Sequence, residues 1–379
     1  MQLLHLQWID SSFCRVVPSG VFARSHWPVI VFRNLEVALA SVVVTGGAGY
    51  IGSHAVKGLV EAGYQVVVYD DLSAGHREAV AAIASRATPP GALGSVTLIE
   101  GDIRDSAHVE RTLRTCEADA VMHFAARLDV GESVREPALY YDLNVGGALA
   151  VLGAMVRAGV GRFVFSSTCA VFGTPEVTPI PEAHPRRPIN AYGQTKLAVE
   201  EALPHFERAY GLRFVSLRYF NAAGADPGGW LGEDHAPEIH LVPRALAAVA
   251  GHGELEVYGD DYDTPDGTCQ RDYIHVTDLA DAHVRALRAL ESGAASATFN
   301  LGNGRPHSVR EVIRTVEVVT GQPVPHRVTG RRAGDPAVLY ASNALIRQRL
   351  GWRPRFDELS TIIATAWRWH TTHPHGYRT

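Results

Sequence analysis

Between Val42 and Gly63 the chain runs from a short β-branched stretch, through a turn crowded with glycine, into a helical pattern. Val42-Val43-Val44 has no polar break, as strands buried on both faces of a parallel sheet do. Thr45-Gly46-Gly47-Ala48-Gly49-Tyr50-Ile51-Gly52 follows. A helix is expected from about Tyr50 to Ala62, with Gly63 where a C-terminal glycine belongs. The alternation continues. Strands are expected at Gln65 to Tyr69, Val96 to Ile99, Ala120 to Phe124, Arg162 to Ser166 and Arg213 to Leu217. Long helical segments lie near Ala138 to Ala158 and Ala191 to Tyr210, and a Gly/Pro-rich loop runs from Thr88 to Gly94. Strands separated by helices imply an α/β fold with a doubly wound parallel sheet and right-handed crossovers. After Asn221 the texture changes. Gly224 to Pro237 is rich in Gly, Asp and Pro, and shorter elements follow, so a smaller C-terminal α/β domain is expected there.

The 379 residues are 46% hydrophobic and 20% charged, ordinary proportions for a soluble globular protein. The net charge of -5 and the absence of a long basic run argue against a nucleic-acid partner. An anionic ligand must be met by local arginines or helix N-termini. Cys14, Cys116, Cys169 and Cys269 show neither a CxxC pair nor zinc spacing. A reduced, cytoplasmic chain with no metal site is the expectation. No uninterrupted apolar run is long enough for a transmembrane helix, and no membrane partner is expected. Residues 1–40 lack the basic start and unbroken apolar core of a secretory signal. Three readings stay open for them: a wrongly assigned start, a loosely docked or disordered tail, and a targeting segment.

The glycines of the first turn are spaced GxxGxxG. Gly46 and Gly49 let the backbone turn tightly and approach a pyrophosphate, and Gly52 allows close helix–sheet packing. The N–H groups of the helix start, at Tyr50 and Ile51, then face the anion. Asp70 and Asp71 end the second strand, where a carboxylate meets the adenosine ribose hydroxyls. Two carboxylates favour NAD over NADP, because a 2′-phosphate is repelled. Asp102, just past the third strand, either faces the adenine or serves as a turn or N-cap residue. The expected division is an extension over 1–40, a Rossmann-like NAD-binding domain over 41–221, and a mainly substrate-binding domain over 222–379. Segments such as 272–285 are expected to return to the first domain.

Tyr192 and Lys196 stand at i and i+4, on one helix face, so phenol and ammonium can share a pocket. A free tyrosine has a pKa of about 10 and is a poor base at neutral pH. A neighbouring cation favours its phenolate, which can exchange a proton with a substrate hydroxyl during hydride transfer. Ser166-Ser167-Thr168 at the end of a preceding strand offers a hydroxyl to relay that proton or hold the substrate oxygen.

Glycine turn, strand-end Ser/Thr and Tyr-x-x-x-Lys together resemble the extended short-chain dehydrogenase/reductase superfamily. The segments VTGGAGYIGSHAV, YYDLNV, FSSTCAVFG, NAYGQTKL, LRYFNAAGA, GEDH, DGTCQRDYIHVTDLADAH, FNLGNG and RRAGDPA narrow the resemblance. In this order, from about Val42 to Gly376, they are similar to the UDP-glucose 4-epimerase family. That resemblance implies retained NAD and inversion of C4 of a UDP-hexose through a transient 4-keto sugar, converting UDP-galactose and UDP-glucose. It assigns catalysis to Tyr192, Lys196 and Thr168. Cofactor positions are Gly46, Gly49, Tyr50, Ile51, Gly52, Asp70, Asp71, Asp102, Ile103, Phe124, Ala125, Asn144, Ser166, Tyr192, Lys196 and Tyr219. Substrate positions are Thr168, Tyr192, Phe220, Asn221, His240, Leu241, Val257, Tyr258, Arg271, Tyr273, Arg332 and Asp335. A homodimer packed through Ala138–Ala158 and Ala191–Tyr210 is implied too. Arg271 and Arg332 offer the charge-assisted grip that a diphosphate needs.

Two positions depart from the family pattern. Leu128 stands where some relatives carry lysine, with Arg127 as the neighbouring cation. Leu339 stands at a position near the sugar 2-substituent, which points to Glc/Gal over N-acetylated sugars. Cys169-Ala170 after Thr168 removes the acid pair of nucleotide-sugar dehydratases. UDP-glucuronate, UDP-pentose or UDP-N-acetylhexosamine 4-epimerases remain alternatives. A non-turning NAD-sensing protein is the remote one, since such proteins commonly lose the tyrosine or lysine. Cys169 reads better as a small, part-buried thiol than as a nucleophile.

Overall fold

The computed structural model describes residues 40–86, 94–332 and 335–378. The expected N-terminal extension, apart from Ala40, lies outside the described residues, as do most of the Thr88–Gly94 loop and Ala333-Gly334. The strands are β1 Ser41–Thr45, β2 Gln65–Asp70, β3 Ser95–Glu100, β4 Ala120–His123, β5 Arg162–Thr168 and β6 Arg213–Tyr219. They are followed by β7 Asn221–Ala223, β8 Leu255–Tyr258, β9 Gln270–His275, β10 Ala297–Leu301, β11 Pro306–Ser308, β12 His326–Thr329 and β13 Val338–Leu339.

The main sheet has seven strands in the order β10-β6-β5-β4-β1-β2-β3. Every pairing in it is parallel. The reversal of order beside β1 is the crevice where ligands of open α/β sheets bind. Side-chain alternation explains the unbroken apolar runs. Val42, Val44, Met122, Val164 and Leu217 point to one face, where they meet Ala55, Val56, Leu59 and Ile83. Val43, Val121, Phe163, Phe165 and Phe214 point to the other, against Val109, Leu113, Val151, Leu152, Val199 and Leu203. Both faces are covered, so neither register of each strand exposes polar groups to water.

The chain returns to this sheet further along than 272–285. Helix Val276–Glu291 lays Leu279, Ala282, Val284 and Leu287 into the first core, and β10 adds the edge strand beside β6, with Phe299 opposite Leu217. A smaller sheet centres on β9, with β7 and β13 parallel to it and β11 antiparallel; β8 and β12 form a separate parallel pair. Val242, Leu246, Val257, Tyr273, Val312, Val316, Ile362 and Ile363 form its core. Asp272 fastens this layer, accepting from the backbone N–H of Asn303, Gly304 and Ala341 at 2.8, 3.0 and 3.1 Å.

The helix expected over Ala138 to Ala158 is not uniform. Tyr141–Gly147 is π-helical between α-helical Pro137–Tyr140 and Ala148–Ala158. The pair Gly146-Gly147 makes the widened turn accessible, and Gly147 packs directly on Ile103, where a Cβ has no room. Pro137–Ala158 is also, by length and composition alone, apolar enough to cross a membrane, with mean hydropathy 1.4 over its best window. Only 44% of that window is buried, and its inner residues Val151, Leu152 and Met155 lie in the second core.

Candidate active site

The glycine turn sits at the C-terminal end of β1. Gly46 has φ +71°, and any Cβ there collides with the Phe124–Ala125 backbone. Gly49 is the N-cap of helix Tyr50–Glu61, gives it no side-chain cap, and no acidic residue stands in the first turn. Gly52 lies against the backbone of Gly46 and Gly47. An uncapped helix start behind a side-chain-free turn is the cradle a pyrophosphate fits. Asp70 is buried, and its carboxylate accepts from the N–H groups of Ala48 and Leu72, both at 2.9 Å. It thus holds the turn in shape from the end of β2. Burial raises its pKa, against the pull of those two donors. Asp71 is exposed and bonds Ser73.

Asp102 is not the cap of the next helix. Asp105 is, accepting from His108 N at 2.9 Å, while Asp102 clasps the Arg104 guanidinium, which holds its carboxyl below the usual range. Ile103 is buried. Phe124 and Ala125 bond Thr45 O through their N–H groups at 2.8 and 3.1 Å, fixing the far wall of the crevice. Asn144, inside the π-helical turn, accepts from Arg127 N at 2.8 Å and donates to Arg127 O and Thr195 Oγ1, each at 3.1 Å. Tyr50 donates to Gly224 O at 2.6 Å, tying the helix start to the loop after β7. Ile51 is part-buried against the first core.

Thr168 ends β5, and Asn190 caps helix Ala191–Tyr210 by accepting from Gly193 N at 2.8 Å. Gly193 packs on the Ala170 carbonyl, too close for a Cβ, so this helix starts hard against the end of β5. That contact brings three expected residues together. The Thr168 hydroxyl lies close enough to the Tyr192 phenol to favour its ionised form. Lys196, one turn on, donates from Nζ to Ser166 O at 2.8 Å and lies over the Phe165 ring. Ser166 in turn bonds Tyr219 through its hydroxyl. Burial pushes the Tyr192 phenol up to about 12, opposed by Thr168, and pulls the Lys196 ammonium down to about 7, opposed by Glu200. A proton shared between substrate and Tyr192 therefore needs further positive charge nearby, which a bound cationic ring provides.

The substrate positions fall into three places. Phe220 and Asn221 follow β6, with Asn221 Nδ2 bonded to Asp272 O at 3.0 Å. Arg271 on β9 meets Asp335 at 3.1 Å, and Arg332 lies 4.4 Å over the Tyr258 ring. Leu241 begins helix Leu241–Val249, and His240 before it turns Nδ1 toward Glu233 and Glu238 at 2.8 and 3.0 Å. Val257 and Tyr273 are almost wholly inside the core of the smaller layer, so neither offers its side chain freely. Leu339 is half-buried against the apolar cluster that includes Phe220, Phe172 and Ala341. Arg127 pairs with Glu132 at 2.9 Å beside exposed Leu128. Burial pushes the Cys169 thiol up to about 12, the opposite of what a nucleophile needs.

Two groupings were not drawn from the sequence, although GEDH was read as a family segment and His240 as a substrate position. Glu200, one turn beyond Lys196, is buried against Arg218 and Ser167; its i+4 spacing from Lys196 was the available signal. The stretch Glu233-Asp234-His235-Ala236-Pro237-Glu238-Ile239-His240 gathers two carboxylates and two imidazoles, and its alternating donors were the signal there.

The model of the NAD dependent epimerase/dehydratase family matches residues 42–302. A UDP-glucose 4-epimerase of Halalkalibacterium halodurans is 49% identical over 340 residues, 89% of this chain and 98% of the relative. The chain belongs to this epimerase family. Its UDP-glucose 4-epimerase members include similar solved structures. That of Brucella ovis, in complex with NAD, superposes with a TM-score of 0.81 at 49% identity over 86% of this chain and 97% of that one. That of Bifidobacterium longum, in complex with NAD+ and UDP, has a TM-score of 0.83 at 38% identity over 89% and 100%. The Rossmann-like sheet of this epimerase-family chain, with its glycine turn and the Thr168–Tyr192–Lys196 group, is thus set among NAD-dependent relatives.

Proposed function

We propose that the protein inverts C4 of a UDP-hexose, interconverting UDP-galactose and UDP-glucose with NAD retained through turnover. The observation that carries this reading is the Thr168–Tyr192–Lys196 group, assembled where β5 and helix Ala191–Tyr210 meet, in a chain of the epimerase family. Gly46, Gly49, Asp70, Asn144 and Lys196 would hold the dinucleotide. NAD, when bound, supplies an acceptor that takes hydride from the sugar C4 and gives it back.

The chain's own residues do the rest. Tyr192 takes the proton of the 4-hydroxyl, and Thr168 holds the same oxygen. Removing that proton lets the C4–H bond break as hydride, which leaves a 4-keto sugar. Lys196 supplies positive charge that favours the phenolate. Inversion requires the keto sugar to present its other face, so the grip must be on the diphosphate rather than the sugar. Arg271 and Arg332 suit that task, as two guanidinium groups able to make charge-assisted bonds to phosphate oxygens. Tyr192 then returns the proton.

The test is conversion of UDP-galactose by purified protein without added NAD. Turnover supports the reading and cofactor retention together. No turnover, even with NAD supplied, rejects it in favour of UDP-uronates or UDP-pentoses, to be offered next. Failure on all of them leaves an NAD-sensing protein.

Leu339 sets sugar preference in this reading. Packed against the cluster that holds Phe220, its side chain limits space for an N-acetyl group. UDP-GalNAc is turned over poorly, and Leu339→Ala raises its kcat/KM by at least about 10-fold, the scale of a few methylenes in an apolar pocket. Equal kcat/KM for UDP-galactose and UDP-GalNAc in the unaltered protein removes the idea.

The functional unit in this reading is a homodimer acting in the cytoplasm, where Cys116, Cys169 and Cys269 stay free thiols. Helix packing through Ala138–Ala158 and Ala191–Tyr210 is supported by apolar side chains left outward on the first run, Tyr141 at 43% and Leu149 at 40% exposure. Leu149→Glu is expected to shift the mass measured by light scattering from two chains to one. A monomeric parent protein, or an unaffected variant, argues against it.

A further inference from the structure

Glu233, His235, Glu238 and His240 present one donor atom each within 4.8 Å of every other. Glu233 Oε1 lies 2.8 Å from His240 Nδ1 and 3.2 Å from His235 Nδ1. Glu238 lies 3.0 Å from His240 Nδ1 through Oε1 and 3.6 Å from His235 Nδ1 through Oε2. Tetrahedral zinc, with nitrogen and oxygen ligands about 2.0–2.2 Å away, has ligand–ligand edges of roughly 3.3–3.6 Å. Three of these separations are shorter than that edge by up to about half an ångström and the fourth reaches it, so the donors need only a small outward shift to hold an ion.

Hydrogen bonding accounts for only part of the cluster. Glu233 is 5% exposed, and its Oε1, like Nδ1 of His235, is buried without a hydrogen-bond partner. These atoms are close in distance but not aligned for a hydrogen bond. A buried polar atom left unbonded costs about 1–3 kcal/mol. Among the described residues, the one hydrogen bond between side chains of the set joins His240 Nδ1 and Glu238 Oε1.

We propose that Glu233, His235, Glu238 and His240 bind one divalent transition-metal ion, with zinc the best match to their donors. Two imidazole nitrogens exclude a calcium or magnesium site, which takes oxygen ligands throughout. Two carboxylates balance the charge of a dication. Four protein ligands make a closed, structural site rather than a catalytic one. The outer contacts are in place. Glu238 Oε1 accepts from the N–H groups of Ile239 and His240 at 2.8 Å, and the Glu233 carbonyl accepts from Trp369 Nε1 at 3.2 Å.

The position gives the ion a task. His240 is the N-cap residue of helix Leu241–Val249, and the His235 ring meets the edge of Tyr50 at the start of helix Tyr50–Glu61. Tyr50 also holds Gly224 O. A metal here clips the Gly-rich loop after β7 to the two helix starts that border the crevice. The inference goes beyond the proposed function and stands without it, because its readout is metal content rather than turnover.

The experiment strips the full-length protein with a chelator, restores Zn2+, removes excess by gel filtration and measures metal by mass spectrometry. About one zinc per chain is expected, with a higher melting temperature in the loaded form. Co2+ in its place is expected to show tetrahedral visible bands without the near-ultraviolet charge transfer of thiolate ligands. Glu233→Gln combined with His235→Gln is expected to lower bound metal to under about 0.1 per chain. Failure of the unaltered protein to retain zinc overturns the proposal and leaves a network of imidazolium–carboxylate pairs. Thiolate bands on cobalt, or full retention by a folded double variant, place the metal on cysteines and overturn it equally. Should the double variant not fold, the zinc content and cobalt spectrum of the unaltered protein still decide.

Discussion

Tyr192→Phe lowers kcat for UDP-galactose by about 10²- to 10⁴-fold, the worth of a positioned general base. The substitution removes one oxygen and keeps the ring, so the packing of helix Ala191–Tyr210 against the end of β5 is retained. Thr168 cannot substitute for it, because a hydroxyl of such weak acidity is no base at neutral pH. The environment makes the phenol a demanding group: burial, only partly opposed by Thr168, pushes it up to about 12. Its use as a base depends on positive charge from Lys196 and the bound cofactor, so the two residues act as a unit. The base form is populated above the pKa, so kcat falls on the acid side of the profile. Lys196→Met removes a cation that favours phenolate and moves that limb to higher pH. Steady-state kinetics from pH 5 to 10, about the span over which such groups titrate, with NAD content measured on the same samples, checks both. A Tyr192→Phe loss of less than about threefold with NAD retained removes Tyr192 as the base.

Arg218→Met destabilises the protein by about 3–5 kcal/mol, the cost of stranding a buried charge. The Glu200 side chain is 2% and the Arg218 side chain 5% exposed. Arg218 donates from Nε at 2.8 Å and from Nη2 at 2.5 Å to the two carboxylate oxygens, and Ser167 donates to Oε1 at 2.5 Å. Arg186 is the next cation, 3.5 Å away and more exposed. Removal of Arg218 leaves the carboxylate desolvated with a partial partner. Arg218→Met with Glu200→Leu restores most of the loss, since no charge is then buried alone. Urea unfolding at fixed protein and NAD concentration is the measurement, because both ligands and subunits shift apparent stability. A single-variant loss under about 1 kcal/mol, or a double variant no better than the single, contradicts the account. Glu200 also raises the pKa of Lys196 from one turn away. The pair thus links the stability of helix Ala191–Tyr210 to the charge state of the site.

The sequence by itself determined the α/β class, the glycine turn, the alternation of strand and helix, and the Tyr192/Lys196 pair. Those are local properties. Glycine sterics, β-branched runs and i, i+4 spacing act within a few residues, and the chain displays them directly. Only the tertiary structure decided that β10 pairs with β6, with partners such as Phe299 and Leu217 82 positions apart, because parallel pairing is chosen by what buries those residues rather than by a neighbour. It decided that Asp105 and not Asp102 caps its helix, since both are cap-forming residues and Arg104 chooses between them. It bent Tyr141–Gly147 into a π-helical turn, where Gly147 must clear Ile103 and Asn144 must reach Arg127. It also turned Val257 and Tyr273 into the core, and drew donor atoms of Glu233, His235, Glu238 and His240 within 4.8 Å of one another. In each case the deciding energy is desolvation or steric contact between segments distant in sequence. Such terms exist only once the chain has closed on itself, and no local pattern carries them.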